Sequence, residues 1–264
     1  MRADVLKAVD DSIQVVFLSS SLFFVLAAAL AAYPYGTLGV AAFTFAFCAG
    51  MVALAWISAN LEKKVSIPVA VLLIAFMYAA SISRFFYSVA LALFLLGFPF
   101  AWFKSVEKKT FGEALSLLFI TKERLLWNAV VGCCMAIFLI YPIVLLEVLA
   151  FRLIGITDIT NVGNLILAAP WWVAVFSFTI APVAEEIFFR GFLVPRAGIV
   201  IPALLFSLAH YTYGSVVEFA GAFTIGLLFG VLLLRTKSIV SVIAAHAMFN
   251  LVSISIIYFG SWFG

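Results

Sequence analysis

The sequence predicts an all-α fold: a polytopic transmembrane helical bundle of eight or nine spans, with an interfacial amphipathic helix. Three observations carry that reading. Hydrophobic residues make up 67% of the 264, and charged residues only 10%, against about 45–50% and about 25% in soluble domains. No soluble core could hide that much apolar surface. The apolar runs are long and do not alternate, which favours helical spans over a barrel. Aromatic residues reach 16%, with 29 Phe, as suits lipid-facing helices. The net charge of +3 says little by itself.

Nine apolar runs can be laid out in order, at 13–32, 38–59, 67–83, 85–103, 125–151, 169–190, 197–212, 217–234 and 239–259. The first follows Asp4, Asp10 and Asp11 and is long enough to be a retained helix, not a cleaved signal. Pro34 and Gly36 turn the first hairpin, and Asn60-Leu61-Glu62-Lys63-Lys64 separates the second run from the third. Pro68 occupies the first turn of the third. The third and fourth are split only by Ser81–Arg84, so the count is nine, or eight if that break is a kink.

Lysine and arginine set the orientation. With nine alternating spans, one side receives Arg2, Lys7, Lys63, Lys64, Lys104, Lys108, Lys109, Lys122, Arg124, Arg190, Arg196, Arg235 and Lys237, and the other only Arg84 and Arg152, thirteen against two. The basic side is expected to be cytoplasmic, with the N-terminus inside. Between the fourth and fifth runs, Lys104, Glu107, Lys108, Lys109, Glu113, Lys122, Glu123 and Arg124 bracket the apolar patch Leu115–Ile120. That pattern fits an amphipathic helix lying in the interface, or a plain charged loop. Residues 152–168, with Gly155, Asp158, Asn161, Gly163 and Asn164, read as a connector. Gly226 and Gly230 form a GxxxG pattern, read as tight helix packing. Cys48, Cys133 and Cys134 lie in apolar runs without metal or redox spacing and are expected to pack in the core. Two units follow: residues 1–124, N-terminal helices plus the interfacial helix, and 125–264, a C-terminal catalytic core.

One stretch breaks the rule that charge stays outside the runs. Glu185, Glu186 and Arg190 sit inside Ile180–Leu193. Ionisable groups at membrane depth are costly, so such a cluster is a functional-site hypothesis by default. Glu186 and Arg190 are four apart and share a helix face, so they can pair. Glu185 is offset by about 100° and has no partner on its own helix. The pair therefore divides into one structural carboxylate and one free for chemistry as a general base. The only two His, His210 and His246, lie in the seventh and ninth runs. Phe206 precedes His210 by one turn, and Asn250 follows His246 by one turn, on the same face. Depth is consistent. Glu185 and His210 each lie ~18 Å along a helix from the turn near Pro195–Gly198, and His246 lies ~12 Å from the turn at Arg235–Ser238. No GxSxG or HExxH is present. A water nucleophile remains, with Glu185 taking its proton, His210 orienting it, and His246 and Asn250 donating to a developing oxyanion.

Glu185-Glu186-x-x-x-Arg190, Phe206-x-x-x-His210 and His246-x-x-x-Asn250 resemble, in order, the three motifs of the CPBP family. That family includes the type II CAAX prenyl endopeptidases and the bacteriocin-processing and immunity (Abi) proteins. The resemblance covers residues 169–256, with a shorter segment between the first two motifs than the family pattern. It implies an all-helical intramembrane protease opening to the cytoplasm, without a cofactor. Glu185 and His210 would activate water, His246 and Asn250 would form the oxyanion hole, and Glu186, Arg190 and Phe206 would support them. The expected partners are membrane lipid and a peptide or lipidated protein substrate, prenylated or not. A basic-aromatic surface stripe is absent, which argues against nucleic acid. Three alternatives stand beside this. One is a zinc metalloprotease using His210, His246 and one Glu. The others are a non-catalytic scaffold that binds a membrane-protein partner and a transporter with a midplane charge network.

Overall fold

The computed structural model describes residues 84–210 and 213–263, all within the unit Pro68–Gly264. The predicted spans at 13–32, 38–59 and 67–83, the Pro34 hairpin and Cys48 lie outside the described residues. The described chain runs as α1 (Arg84–Ser105), α2 (Phe111–Leu117), α3 (Leu125–Met135), α4 (Tyr141–Leu153), α5 (Thr160–Ala168), α6 (Trp171–Glu186), α7 (Val194–Ala197), α8 (Val200–His210), α9 (Val216–Thr236) and α10 (Ile239–Phe263), with no strand among the described residues. Wide π-helical segments join α3 to α4, at Ala136–Ile140, and α6 to α7, at Ile187–Leu193.

Both π segments have the same local cause. Each runs up to a proline near the start of the next helix, Pro142 and Pro195. A proline ring clashes with the carbonyl four residues back, here Phe138 and Gly191, and lacks the N–H that would bond it. A widened turn relieves that clash without ending the helix. The continuous helices Leu125–Leu153 and Trp171–Ala197 result, and with Val216–Thr236 and Ile239–Gly260 they are long and apolar enough to cross a membrane. Large apolar side chains point outward along the first of them, among them Leu126, Phe138, Leu146 and Leu153.

These four elements answer to the fifth, sixth, eighth and ninth predicted runs, and α1 to the fourth. The seventh run, 197–212, holds α8, whose described part covers 11 residues, ~16 Å; Tyr211 and Thr212 lie outside the described residues.

Close helix approach is bought by glycine. A Cβ on Gly226 would stand 2.9 Å from Ala203 Cα, and one on Gly230 would stand 2.5 Å from Ile199 Cγ2. The GxxxG pattern thus seats α9 on α8, as predicted. Gly132 seats α3 on α10 more tightly still, its Cβ position 2.1 Å from Ser241 O.

The segment after α1 is neither a long interfacial helix nor a plain loop. Only Phe111–Leu117 is helical, started by a capping box in which Thr110 and Glu113 bond each other's backbone N–H. Beyond it the chain straps one end of the bundle. Leu118 is fully buried and lies against Gly191, and Phe119 O accepts from Ile239 N–H at 3.0 Å. Glu107 on the same segment pairs with Arg196.

At the opposite end the expected connector holds helix α5. It was hidden because Asn161, Gly163 and Asn164 are poor helix formers. It is also tied down. Asp158 accepts from Ser215 Oγ at 2.9 Å and Val216 N–H at 2.6 Å, and Asn161 Nδ2 donates to Gly214 O at 2.9 Å. Two smaller expectations fail. Cys134 is exposed instead of packed in the core, while Cys133 is half-buried. Arg190 is fully buried inside the bundle, so it does not belong to the basic loops.

Candidate active site

Helices α6, α8, α9 and α10 bring the predicted polar residues together. Helix α6 with its π continuation supplies Glu185, Glu186 and Arg190. The i,i+4 pair forms as expected, with Arg190 Nη1 donating to Glu186 Oε1 at 2.9 Å and both side chains fully buried. The guanidinium lies over the Phe206 ring at 4.2 Å and the Phe229 ring at 5.2 Å. Ring faces are negative, so they partly replace the lost hydration of the cation. Arg190 Nε and Nη2 and Glu186 Oε2 have no partner among the described residues.

Helix α10 then adds His246. Its Nδ1 and Glu186 Oε1 are 2.7 Å apart. A carboxylate can only accept, so Nδ1 carries the proton and donates. The other nitrogen, Nε2, faces Glu185 Oε2 at 3.8 Å. That is too long for a hydrogen bond, but close enough for one water to touch both atoms. The Glu185 side chain is 23% exposed and His246 5%, so the cluster grades from a dry interior to an accessible edge.

His210, on α8, is oriented in the same manner. Its Nδ1 donates to Phe206 O at 2.9 Å, which leaves Nε2 as the free acceptor. Phe206 stands between the two imidazoles, its ring centroid 4.4 Å from that of His210 and 5.8 Å from that of His246. This one aromatic residue therefore sets the spacing of both histidines and carries the arginine. His210 lies within electrostatic reach of His246 and Arg190.

Asn250 is placed one turn beyond His246, but it is not wholly free. Its Nδ2 donates to Ser177 O at 2.8 Å, which pins α10 to α6 and leaves one N–H for other use. His246, likewise, is open only at Nε2. Sequence reasoning missed three contributors. Ser177 acts through a backbone carbonyl, which no side-chain motif can reveal. Phe229 packs on His246 at 5.3 Å, and only the α9 register exposes it. Tyr213 stacks edge-on against His210 at 5.6 Å, three residues past the motif histidine.

Among the described residues no group of three His, Cys, Asp or Glu side chains stands so as to hold a metal ion; in both histidines Nδ1 is bonded within the protein and Nε2 is left open.

With this geometry in place, the comparisons with known proteins are specific. Residues 167–252 match the family model of type II CAAX prenyl endopeptidase, Rce1-like, roughly a third of the chain and the part that holds all three motifs. This segment is similar to a family of membrane proteases, the one to which the CPBP resemblance pointed. No curated protein and no solved structure matches the chain.

Proposed function

We propose that the chain is an integral-membrane endopeptidase that hydrolyses a peptide bond of a membrane-associated substrate, a prenylated CAAX-type tail being one class it could take. The observation that carries this reading is His246 held between two carboxylates, one buried and one accessible.

The charges suggest how the site works. Glu186 and Arg190 cancel. One further proton, shared between Glu185 and His246, makes the buried cluster neutral, which is the state a low-dielectric site tolerates best. With that proton on His246, Glu185 is free to take one from a water that His210 Nε2 helps to orient. The water oxygen attacks the carbonyl carbon, and the carbonyl oxygen becomes an oxyanion. The cluster has then gained one positive charge as the substrate gains one negative. His246 Nε2–H and the remaining Asn250 N–H donate to that oxyanion. Glu185 passes its proton to the amide nitrogen, the C–N bond breaks, and the amine leaves. Opening toward the cytoplasm is supported by depth: His246 lies seven residues into α10, ~10 Å, from the end that carries Lys104, Lys108, Lys122, Arg196, Arg235 and Lys237.

Cleavage of prenylated and unprenylated peptides by purified protein tests the reading. Glu185→Gln and His210→Ala should each lower turnover about 10²–10⁴-fold with helicity kept. Undiminished cleavage by both variants would overturn the roles. A wild type that cleaves nothing would favour the scaffold.

A further inference from the structure

Helix α9 places one more ionisable residue on the face that lines the site. Glu218, Ala222, Ile225 and Phe229 recur at the spacing of a single helical stripe. Ala222, Ile225 and Phe229 are buried, and Phe229 touches both His246 and Arg190. Glu218 begins that stripe, in the first turn, where its backbone N–H donates to the Ser215 Oγ cap at 3.0 Å. The contacts of Gly226 with Ala203 and of Gly230 with Ile199 fix the α8–α9 register. Four residues along one helix match four back along the other, which brings His210 level with Phe219, beside Glu218. Tyr213 closes the gap. It stacks on His210 and lies within electrostatic reach of both Glu185 and Glu218, while Glu218 is within reach of His246.

Charge makes this wall unusual. Glu186 has Arg190, and Glu185 has His246. Glu218 makes no ion pair among the described residues. It stands about three turns along α9 from Phe229, at the His210 edge of the cluster that would perform the chemistry.

We infer that Glu218, with Tyr213 beside it, is a specificity-determining residue that holds a cationic side chain, Lys or Arg, of an extended peptide whose scissile bond lies at Glu185 and His246. The inference rests on the endopeptidase reading. Eleven residues of α9 span ~16 Å, and an extended peptide rises ~3.3 Å per residue, so the cationic position falls within about five residues of the cleaved bond, on one side of it only. The Glu218 carboxylate accepts from the ammonium or guanidinium, and the Tyr213 hydroxyl can accept a second hydrogen bond.

The test is a panel of fluorescent peptides that carry Lys, Ala or Glu in turn at each of five positions on either side of the bond. Both Kd and kcat/KM are read on the full-length protein in detergent. At one position Lys should exceed Ala on the order of tenfold, chiefly through KM and Kd. Glu218→Gln should bring that ratio to about one, and Glu218→Lys should invert it, preferring Glu. A merely structural role would alter all peptides alike and leave the ratio unchanged, and that result would overturn the inference. So would cleavage with no charge preference at any position. Glu218-dependent binding of Lys peptides without any cleavage would keep the subsite and overturn the endopeptidase reading. Neither binding nor cleavage would overturn both.

Discussion

Removing one member of the buried Glu186–Arg190 pair should cost more than removing both. Arg190 is fully buried, bonded at 2.9 Å to Glu186 Oε1, and already has two nitrogens without partners among the described residues. Glu186→Gln leaves its charge uncompensated, and breaking a buried pair this way costs about 3–5 kcal/mol. Arg190→Met strands the Glu186 carboxylate with His246 alone and forfeits the contacts with Phe206 and Phe229, so it should cost about the same. The double variant removes both charges. Replacement of a whole buried pair by uncharged groups is often near neutral, but His246 still loses its carboxylate partner, at about 1–3 kcal/mol. The double variant should therefore lose about 1–3 kcal/mol, where simple addition gives about 6–10. Chemical unfolding in detergent, followed by far-UV circular dichroism, reads all four corners of the cycle. Single variants that each cost under about 1 kcal/mol, or a double variant that equals their sum, would refute the claim that the two charges are dry and mutually dependent.

Other outcomes follow from the packing and the caps. Gly132→Ala would drive a methyl to within 2.1 Å of Ser241 O, backbone that cannot swing away, and should cost about 2–3 kcal/mol; Gly163→Ala, with nothing within 4 Å, should stabilise by up to about 1 kcal/mol, both read by thermal unfolding. At Asp158, partial desolvation pushes the carboxyl up, but hydrogen bonds from Val216 N–H, Ser215 Oγ and Val217 N–H outweigh it and hold the group below its ordinary 3.8. A depressed folded value stabilises above the unfolded value and is lost as pH falls through the folded one. Asp158→Asn should thus lower stability by about 1 kcal/mol near neutrality, a modest amount because solvent screens the site. The gap should close below about pH 4, and a Tm difference that stays constant from pH 7 to pH 3 would count against a charged cap. Cleavage should persist in excess chelator, since the proposed reaction uses only side chains and water and no group of three candidate metal ligands stands among the described residues; loss of activity restored by zinc would reverse that assignment.

Much of the site was legible because its spacing is helical. Glu186 to Arg190, Phe206 to His210 and His246 to Asn250 are each one turn, and each pair shares a face in the structure. What the sequence hid was of another kind. Ser177 was invisible because its contribution is a carbonyl. The engagement of His246 Nδ1 by Glu186 was invisible because it joins residues sixty apart. The strap against Gly191 and Ile239 depends on contacts between chain segments that no local pattern encodes.

The adjacent glutamates show why the register of α6 cannot slip. Glu185 and Glu186 are chemically identical, yet a step of one residue turns a helix by about 100°. That rotation sends Glu186 inward, with 0% of its side chain exposed, beside Arg190 and His246 Nδ1, and leaves Glu185 at the open edge, 23% exposed, facing Nε2. A carboxylate that must hold an imidazole in one tautomer needs burial and a counter-charge. In the proposed reaction the carboxylate that meets water needs an accessible face. Helix geometry supplies both from a single doublet, and the opposite nitrogens of one histidine report which is which. A one-residue insertion before Ala184 would leave the doublet intact in sequence and still rotate Glu185 and Glu186 together relative to the Asn250–Ser177 anchor, so the motif alone would not restore the site.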